Sequence, residues 1–226
     1  MATEVDICNL SLSLLGEEAN VVSIDPSDGS ENAGLCARWL PMAKRRLFED
    51  ADWSFAQRRA RLSELSGMDA TIYGDSKCYA VPSDAVRIIR VYELLDDSDQ
   101  STFSIDPDDA RRFDDEVLKP AQWRVEYNPS NSSRMVVTNV AKAVAHYTAY
   151  IDSVALYPAY FLEPLVVLLA SYLVGPIKRQ SSASTEAVNL MKQYQQSLSA
   201  AKTIDAQSTV KQKINRVPTK ISSRWV

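Results

Sequence analysis

The chain is short of the residues from which most catalytic sites are built. Its 226 residues include one histidine, three cysteines and six glycines. A Ser–His–Asp or Cys–His site would have to use His146, which lies in the alternating run AVAHYTAY, where a histidine on a sheet face is the simpler interpretation. No GxxxxGKS/T or GxGxxG motif occurs, so a phosphate-cradling loop is not expected. We therefore predict no enzymatic activity and no cofactor.

The three cysteines, Cys8, Cys36 and Cys78, are far apart in the sequence and odd in number. No CxxC pair occurs, and His146 has no neighbouring ligand at metal-site spacing, so no metal site is expected. The simplest interpretation is three buried thiols in a chain made in a reducing cytoplasm.

Targeting and membrane-spanning patterns are also missing. The N-terminal MATEVDICNL has no basic stretch of the kind that opens a signal peptide. The longest apolar run, Leu165–Ala170 within Phe161–Val174, is too short to cross a bilayer. We therefore expect a soluble protein.

Charge is unevenly distributed along a chain whose net charge is −4. The segment 93–116 holds ten acidic and two basic residues. Within it, Asp106, Asp108 and Asp109 come nearest to a metal-binding pattern, but EF-hand spacing is absent, which favours a solvated acidic loop. Two basic clusters, 44–46 and 58–61, are candidates for phosphate contact, with solvated faces as the simpler interpretation.

The first part of the chain predicts two helices. Thr3 and Asp6 form a capping box, and Gly16 supplies a left-handed stop. The expected apolar stripe consists of Ile7, Leu10 and Leu14, widened by Cys8, Leu12 and Leu15. A second helix is expected over 31–51, with a kink or break at Pro41.

The middle of the chain shows the alternation typical of β-strands. Five segments carry it: Cys78–Val81, Val86–Leu94, Trp123–Tyr127, Met135–Thr138 and Val144–Tyr150. We expect these strands to form one small antiparallel sheet.

Helical spacing returns at about Tyr157. An apolar helix is expected to end at Gly175-Pro176, and a last helix over about 185–206 carries a narrow apolar seam. The seam residues are Ala187, Met191, Tyr194, Leu198 and Ala201. Because neither pair of helices can bury its apolar face alone, the two ends of the chain are predicted to share one bundle.

These patterns predict an α+β fold in three parts. An antiparallel helical bundle is built from both ends of the chain, 1–56 and 157–207. A small antiparallel β module, 57–156, is inserted between them and contains the acidic loop 93–119. Residues 208–226 form an extended basic C-terminal arm.

The arm has five basic residues, no acidic residue and a helix-breaking Pro218. A segment of this composition is expected to order against a partner rather than alone. Its candidate partner-binding residues are Lys211, Lys213, Ile214, Arg216, Val217, Lys220, Ile221, Arg224, Trp225 and Val226.

Five segments, taken in their order along the chain, form a pattern more specific than composition and periodicity require. They are DICNLSLSLLGE at 6–17, AGLCARWLP at 33–41, DWSFAQRRARL at 52–62, YAVPSDAVRIIRVYEL at 79–94 and FLEPLVVLLASYLVGPI at 161–177. Together they resemble the tail tubular protein A, or head-completion adaptor, family of short-tailed bacteriophages. The matching residues are Asp6, Ile7, Cys8, Asn9, Leu10, Leu15, Gly16, Glu17, Trp53, Phe55, Ala56, Tyr79, Pro82, Asp84 and Arg87. Ser11 departs from the alanine usual in the family, and Asp52 from a common proline.

The resemblance implies a structural virion protein without catalytic residues. Such adaptors form a homo-oligomeric ring of about twelve copies at the head–tail junction, between the portal protein and a tail nozzle of the tail tubular protein B type. The ring extends and seals the DNA channel for genome retention and ejection, and DNA passes through it without sequence-specific binding. The C-terminal arm of the family lies along the portal, and no membrane is involved.

Complementary charge is expected to set the register between neighbouring copies. The candidate residues are Arg58, Arg59 and Arg61 on one side and Asp106, Asp108, Asp109, Asp114, Asp115 and Glu116 on the other. Two alternatives stay open at this point. One is a neck or tail-terminator protein of a long-tailed phage; the other is a tail-associated carbohydrate or peptidoglycan hydrolase that uses the acidic residues.

Overall fold

Helices lie at both ends of the chain, and strands lie between them. The computed structural model describes residues 2–66, 77–94, 118–128, 132–178 and 183–208. The helices in these ranges are α1 (Glu4–Leu14), α2 (Glu31–Glu49), α3 (Ala159–Lys178) and α4 (Ala183–Ser208). The strands are β1 (Gln57–Arg61), β2 (Lys77–Ala80), β3 (Ala85–Leu94), β4 (Leu118–Pro120), β5 (Trp123–Asn128), β6 (Ser133–Thr138) and β7 (Ala143–Ala149). The predicted α+β class is confirmed.

The strands form two antiparallel sheets rather than the single sheet predicted. The larger sheet has the order β1-β7-β3-β4, and the smaller has the order β2-β6-β5. Ile88 and Val91 of the larger sheet share one apolar cluster with Tyr79 and Val136 of the smaller. Each sheet therefore covers an apolar face of the other, which a single flat sheet of these strands would leave open.

The beginning of α1 is as predicted. The Thr3 side chain accepts a hydrogen bond from the Asp6 backbone N–H at 3.1 Å, and the Asp6 carboxylate accepts one from the Thr3 N–H at 2.8 Å. The backbone hydrogen bond from Thr3 lowers the pKa of Asp6. After the helix ends, Gly16 has a φ of +75°, the left-handed conformation expected of a terminating glycine.

The predicted apolar stripe of α1 is partly wrong. Leu10 is 55% exposed and Leu14 is 46% exposed, whereas Cys8 and Leu12 are fully buried. The helix is rotated because its Ser11 side faces α3, where the Ser11 hydroxyl donates to the Val166 carbonyl at 3.0 Å. Cys8 and Leu12, which were predicted to widen the apolar stripe, therefore form its centre.

The predicted break at Pro41 and the predicted helix end at Gly175-Pro176 do not occur. α2 runs through Pro41 without a break, and α3 runs through Gly175 and Pro176 to Lys178. Apolar residues on both sides of each site pack into the same core, as Leu40 and Ala43 do around Pro41. This packing offsets the lost backbone hydrogen bond and the ring clash of each proline.

The main core lies around α3, which contacts α1, α2 and α4. By length and composition alone α3 passes as a membrane-spanning helix, yet 61% of its apolar window is buried inside the protein, as in the core helix of a globular fold. At its start, Phe161 lies beside Phe48, with a centroid distance of 4.9 Å, and beside Trp53, at 5.0 Å. The segment that leads into β1 is therefore packed against the helices.

Candidate interaction surface

The turn before β1 is anchored from two directions. Trp53 is fully buried, and its indole N–H donates to the Leu47 carbonyl at 2.7 Å. The backbone N–H and the hydroxyl of Ser54 donate to the Asp205 carboxylate of α4 at 3.0 and 2.6 Å. The Tyr160 hydroxyl donates to the same carboxylate at 2.7 Å. Core and α4 together therefore fix where β1 begins and which way its side chains point.

Alternation along β1 places the predicted arginine cluster on two opposite faces. Arg59 pairs with His146 of β7, whereas Arg58 pairs with Tyr147. The Arg58 guanidinium lies 2.9 Å from the Asp84 carboxylate, which also accepts a hydrogen bond from the Tyr147 hydroxyl at 3.1 Å. Arg58 is thus engaged within its own chain and does not join Arg59 and Arg61.

The outer face of the larger sheet gathers cationic side chains from neighbouring strands, and we call it the basic face. Its members are Gln57, Arg59 and Arg61 of β1, His146 and Thr148 of β7, and Arg87 and Arg90 of β3. These residues share a face because they pair with one another in the antiparallel register.

A shift of register in β3 brings Arg90 to this face. Arg87 pairs with Thr148, and Arg90 pairs with His146, with an irregularity between Ile88 and Arg90. Residues three apart point to opposite faces of a regular strand, and the extra residue at Ile89 restores the common face. Arg90 could not be predicted as a member of this face, because a bulge has no reliable signal in a sequence without glycine at that point.

His146 reports the electrostatic potential of the basic face. Burial lowers its pKa first, and the nearby charges of Arg59 and Arg90 lower it further, while Asp52 acts in the opposite direction. Its Nε2 lies 3.0 Å from the Gln57 side-chain oxygen. The interpretation of His146 as a sheet-face residue is therefore confirmed, and the neutral imidazole is favoured at neutral pH.

The end of the basic face near the helices contains carboxylates as well as cationic side chains. Arg87 lies 2.5 Å from the Asp52 carboxylate, and a cleft of about 460 Å³ next to it is lined by Gln57, Lys202 and Asp205 among others. Thr148 is fully buried between the Gln57 and Arg87 positions. Within the described ranges, its hydroxyl has no hydrogen-bond partner.

The other predicted basic cluster, at 44–46, has a structural role. The Lys44 ammonium lies 2.8 Å from both the Glu4 and the Asp152 carboxylates, and its side chain is 3% exposed. Burial disfavours its charge, but the hydrogen bonds with Asp152 and Glu4 outweigh burial and raise its pKa. Lys44 therefore ties α1 and α2 to the segment before α3. Arg45 pairs with Glu49 in the last turn of α2, and Arg46 pairs with Asp50 directly after it, which agrees with a solvated face.

Several predicted site residues fall outside the ranges that the structure describes. These are the arm residues from Lys211 to Val226 and the six acidic residues from Asp106 to Glu116. Among the described residues, no group of three or more histidine, cysteine or carboxylate side chains is arranged to hold a metal ion. Cys8, Cys36 and Cys78 are buried free thiols, as predicted.

Asp205 is the anchoring residue that the sequence analysis missed. It is 7% exposed and follows Leu198 and Ala201 at the seam spacing of α4. Burying a carboxylate at a seam position costs free energy unless the carboxylate is hydrogen-bonded. An aspartate at the seam spacing was therefore the signal in the sequence for this anchoring role.

No protein-family model matches the chain, and the curated proteins searched include no detectable match.

Proposed function

We propose that this chain is a structural virion protein, the head-to-tail adaptor of a short-tailed bacteriophage. It forms a ring between the portal and the tail nozzle, and this ring extends and seals the DNA channel for genome retention and ejection. In this proposal the helices from both ends of the chain form one antiparallel bundle. The β module is inserted into that bundle, and the arm binds the portal.

The observation that carries the proposal is the structural role of the residues that match the family motifs. Asp6 caps α1. The Asn9 side chain bonds the Val21 backbone twice, as donor at 3.0 Å and as acceptor at 3.1 Å, which holds the loop after the left-handed Gly16. The first motif therefore encodes a helix, its end and the return of the chain.

The later motif residues behave in the same way. Trp53 and Ala56 lie in the main core. The Tyr79 hydroxyl donates to the Val140 carbonyl at 2.7 Å. The Asp84 carboxylate accepts hydrogen bonds from the Arg58 guanidinium and the Tyr147 hydroxyl. A motif set whose residues pack the core and hold turns supports a structural role.

The departure at Asp52 also has a local role in this chain. Its carboxylate lies beside Arg87, a residue that belongs to the fourth motif. The aspartate therefore connects the turn before β1 to β3, which a proline at this position would not do.

The attachment test uses the portal ring encoded in the same genome. The full chain and a truncated chain ending at Ser208 are each sedimented with that ring. We expect the truncated chain to fold normally and to lose attachment, because a basic arm that orders on its partner supplies the contact. Normal attachment of the truncated chain would reject the arm as the portal-binding element.

A double substitution sharpens this test. Trp225→Ala with Val226→Ala is expected to weaken attachment by about 2–4 kcal/mol if these residues fill a pocket on the portal. An affinity equal to that of the unchanged chain would assign attachment to the basic residues of the arm instead.

A further inference from the structure

We infer that the basic face of the larger sheet binds the phosphate backbone of a nucleic acid without reading its base sequence. The inference rests on the register and charge of β1, β7 and β3. It holds whether or not the chain is a phage adaptor.

The spacing of the cationic side chains suits a polyanion. Arg59 and Arg61 are two residues apart on one strand, which separates their Cα atoms by about 6.6 Å. Arg90 lies on β3, two strands away from β1, so its row is about 9–10 Å from theirs. Because duplex DNA carries one charge per about 1.7 Å of its axis, several phosphates fall within reach of this area.

The chemistry of the face favours backbone contact over base contact. Arginine guanidinium groups bind phosphate oxygens through two parallel hydrogen bonds. The aromatic residue that shares this face, Tyr92, packs against Leu94, Leu118 and Val144 instead of standing free for base stacking. Contact through phosphates alone carries no sequence information.

The electrostatics of the face also favour an anion. Arg87 has a carboxylate partner in Asp52. Burial lowers the pKa of His146 first, and the positive charges of Arg59 and Arg90 lower it further. A bound phosphate would offset this positive charge, since an anion in the middle of the row attracts all of its members.

The competing occupant is the acidic segment 93–116 of the same or a neighbouring copy, as the sequence analysis expected for Arg59 and Arg61. Fewer than half of the residues in that segment are acidic, and it also contains Arg111 and Arg112. A nucleic acid carries a charge on every nucleotide, so its charge density matches a grid of closely spaced arginines better.

The chain contains a single histidine, which makes His146 a reporter at the centre of the site. The full chain is titrated with a mixed-sequence DNA duplex of about 15 base pairs at about 20 mM salt, where backbone contacts are strongest, and the His146 ring is followed by NMR. We expect a saturable shift and a rise in the pKa of His146, because the phosphate charge opposes Arg59 and Arg90. Three phosphate contacts predict that affinity falls about 40-fold between about 50 and 200 mM salt.

Single substitutions locate the contact. Arg59→Gln, Arg61→Gln and Arg90→Gln should each weaken binding and reduce the slope of log K against log salt by about 1. Arg59→Lys should retain most of the binding, because it keeps the charge. Arg58→Gln is the matched control, since it removes the same charge one residue away on the opposite face, and it should leave the titration unchanged.

Three results would overturn the inference. The first is the absence of a His146 shift in the unchanged chain at low salt. The second is an equal loss of binding in Arg58→Gln and Arg59→Gln. The third is a shift produced by a synthetic peptide of residues 95–117 but not by DNA, which would assign the face to a protein contact. None of these experiments involves the portal, so their failure is separate from failure of the adaptor proposal.

Discussion

The two faces of the larger sheet show how differently neighbouring residues of one type can be used. The inner face packs against the smaller sheet through residues such as Ile88, Val91 and Ala145, and on this side Arg58 is neutralised by Asp84. The outer face presents Arg59 and its cationic neighbours. The period of two along a strand decides between these roles, so a charge cluster in sequence is not necessarily a cluster in space.

The comparison predicts that changes on the packed side reduce stability, whereas changes on the basic face reduce binding. The largest expected effect is at the anchor of β1. Trp53→Ala should lower the free energy of unfolding by about 3–5 kcal/mol, because it removes a fully buried ring and leaves a cavity. Denaturant titration measures this loss.

Tyr127→Ala is the control, because Tyr127 is 61% exposed on the β5 strand. We expect its effect to remain within about 0.5 kcal/mol. Equal losses in the two variants would contradict the assignment of Trp53 to the main core.

The next largest loss of stability is expected at Asp205. Asp205→Ala removes the acceptor for Ser54 and Tyr160 and should cost about 2–3 kcal/mol, because three donors in half-buried residues lose a charged partner. Burial, followed by the hydrogen bond and charge of Asp205, raises the pKa of Tyr160 to about 12, so the same change should lower the pKa of that hydroxyl. Urea unfolding and ultraviolet titration of tyrosine measure the two effects.

Lys202 lies on the same helix and is exposed. Lys202→Ala should change stability by less than about 0.5 kcal/mol. If it matched Asp205→Ala, the loss would reflect a general weakening of α4 and not the anchoring of the turn.

A smaller effect concerns the pH dependence of stability. The pKa of folded His146 lies below the unfolded value of 6.5, so the unfolded state binds more protons and stability falls as pH decreases through that window. His146→Gln should therefore lose less stability than the unchanged chain between about pH 7 and pH 5. Urea midpoints across this range measure the difference, and parallel curves for the two proteins would contradict it.

The smallest effect on stability is expected on the basic face itself. Arg59→Gln combined with Arg61→Gln should change the free energy of unfolding by less than about 0.5 kcal/mol, because both side chains are exposed. Arg58→Gln should cost up to about 1 kcal/mol through the loss of its ion pair. Thermal unfolding compares the two, and a larger loss in the double variant would contradict the division into packed and binding faces.

Local signals in the sequence were sufficient to predict many of the helices and strands. The capping box at Thr3, the stop at Gly16 and the strand β5 depend on neighbouring residues, and all three are confirmed. The apolar face predicted for β5 is wrong, because Val125 and Tyr127 are exposed. The seam of α4 was also visible, with Tyr194, Leu198 and Ala201 buried as expected.

The errors arose where distant contacts override local preference. Pro41 and Pro176 lie within continuous helices because residues on both sides are packed. Leu10 is exposed because α1 turns its Ser11 side towards α3. The pairing of Arg90 with His146 depends on a bulge, so the place of Arg90 on the basic face could not be predicted from the periodicity of the sequence.

The most direct test of the adaptor proposal is the mass of the complex between this chain and the portal ring of the same genome. The two purified proteins are mixed and weighed by native mass spectrometry. The proposal predicts one complex that contains about twelve added copies of the chain, as a closed ring matched to the portal requires. The absence of any complex at high protein concentration would contradict the portal as direct partner.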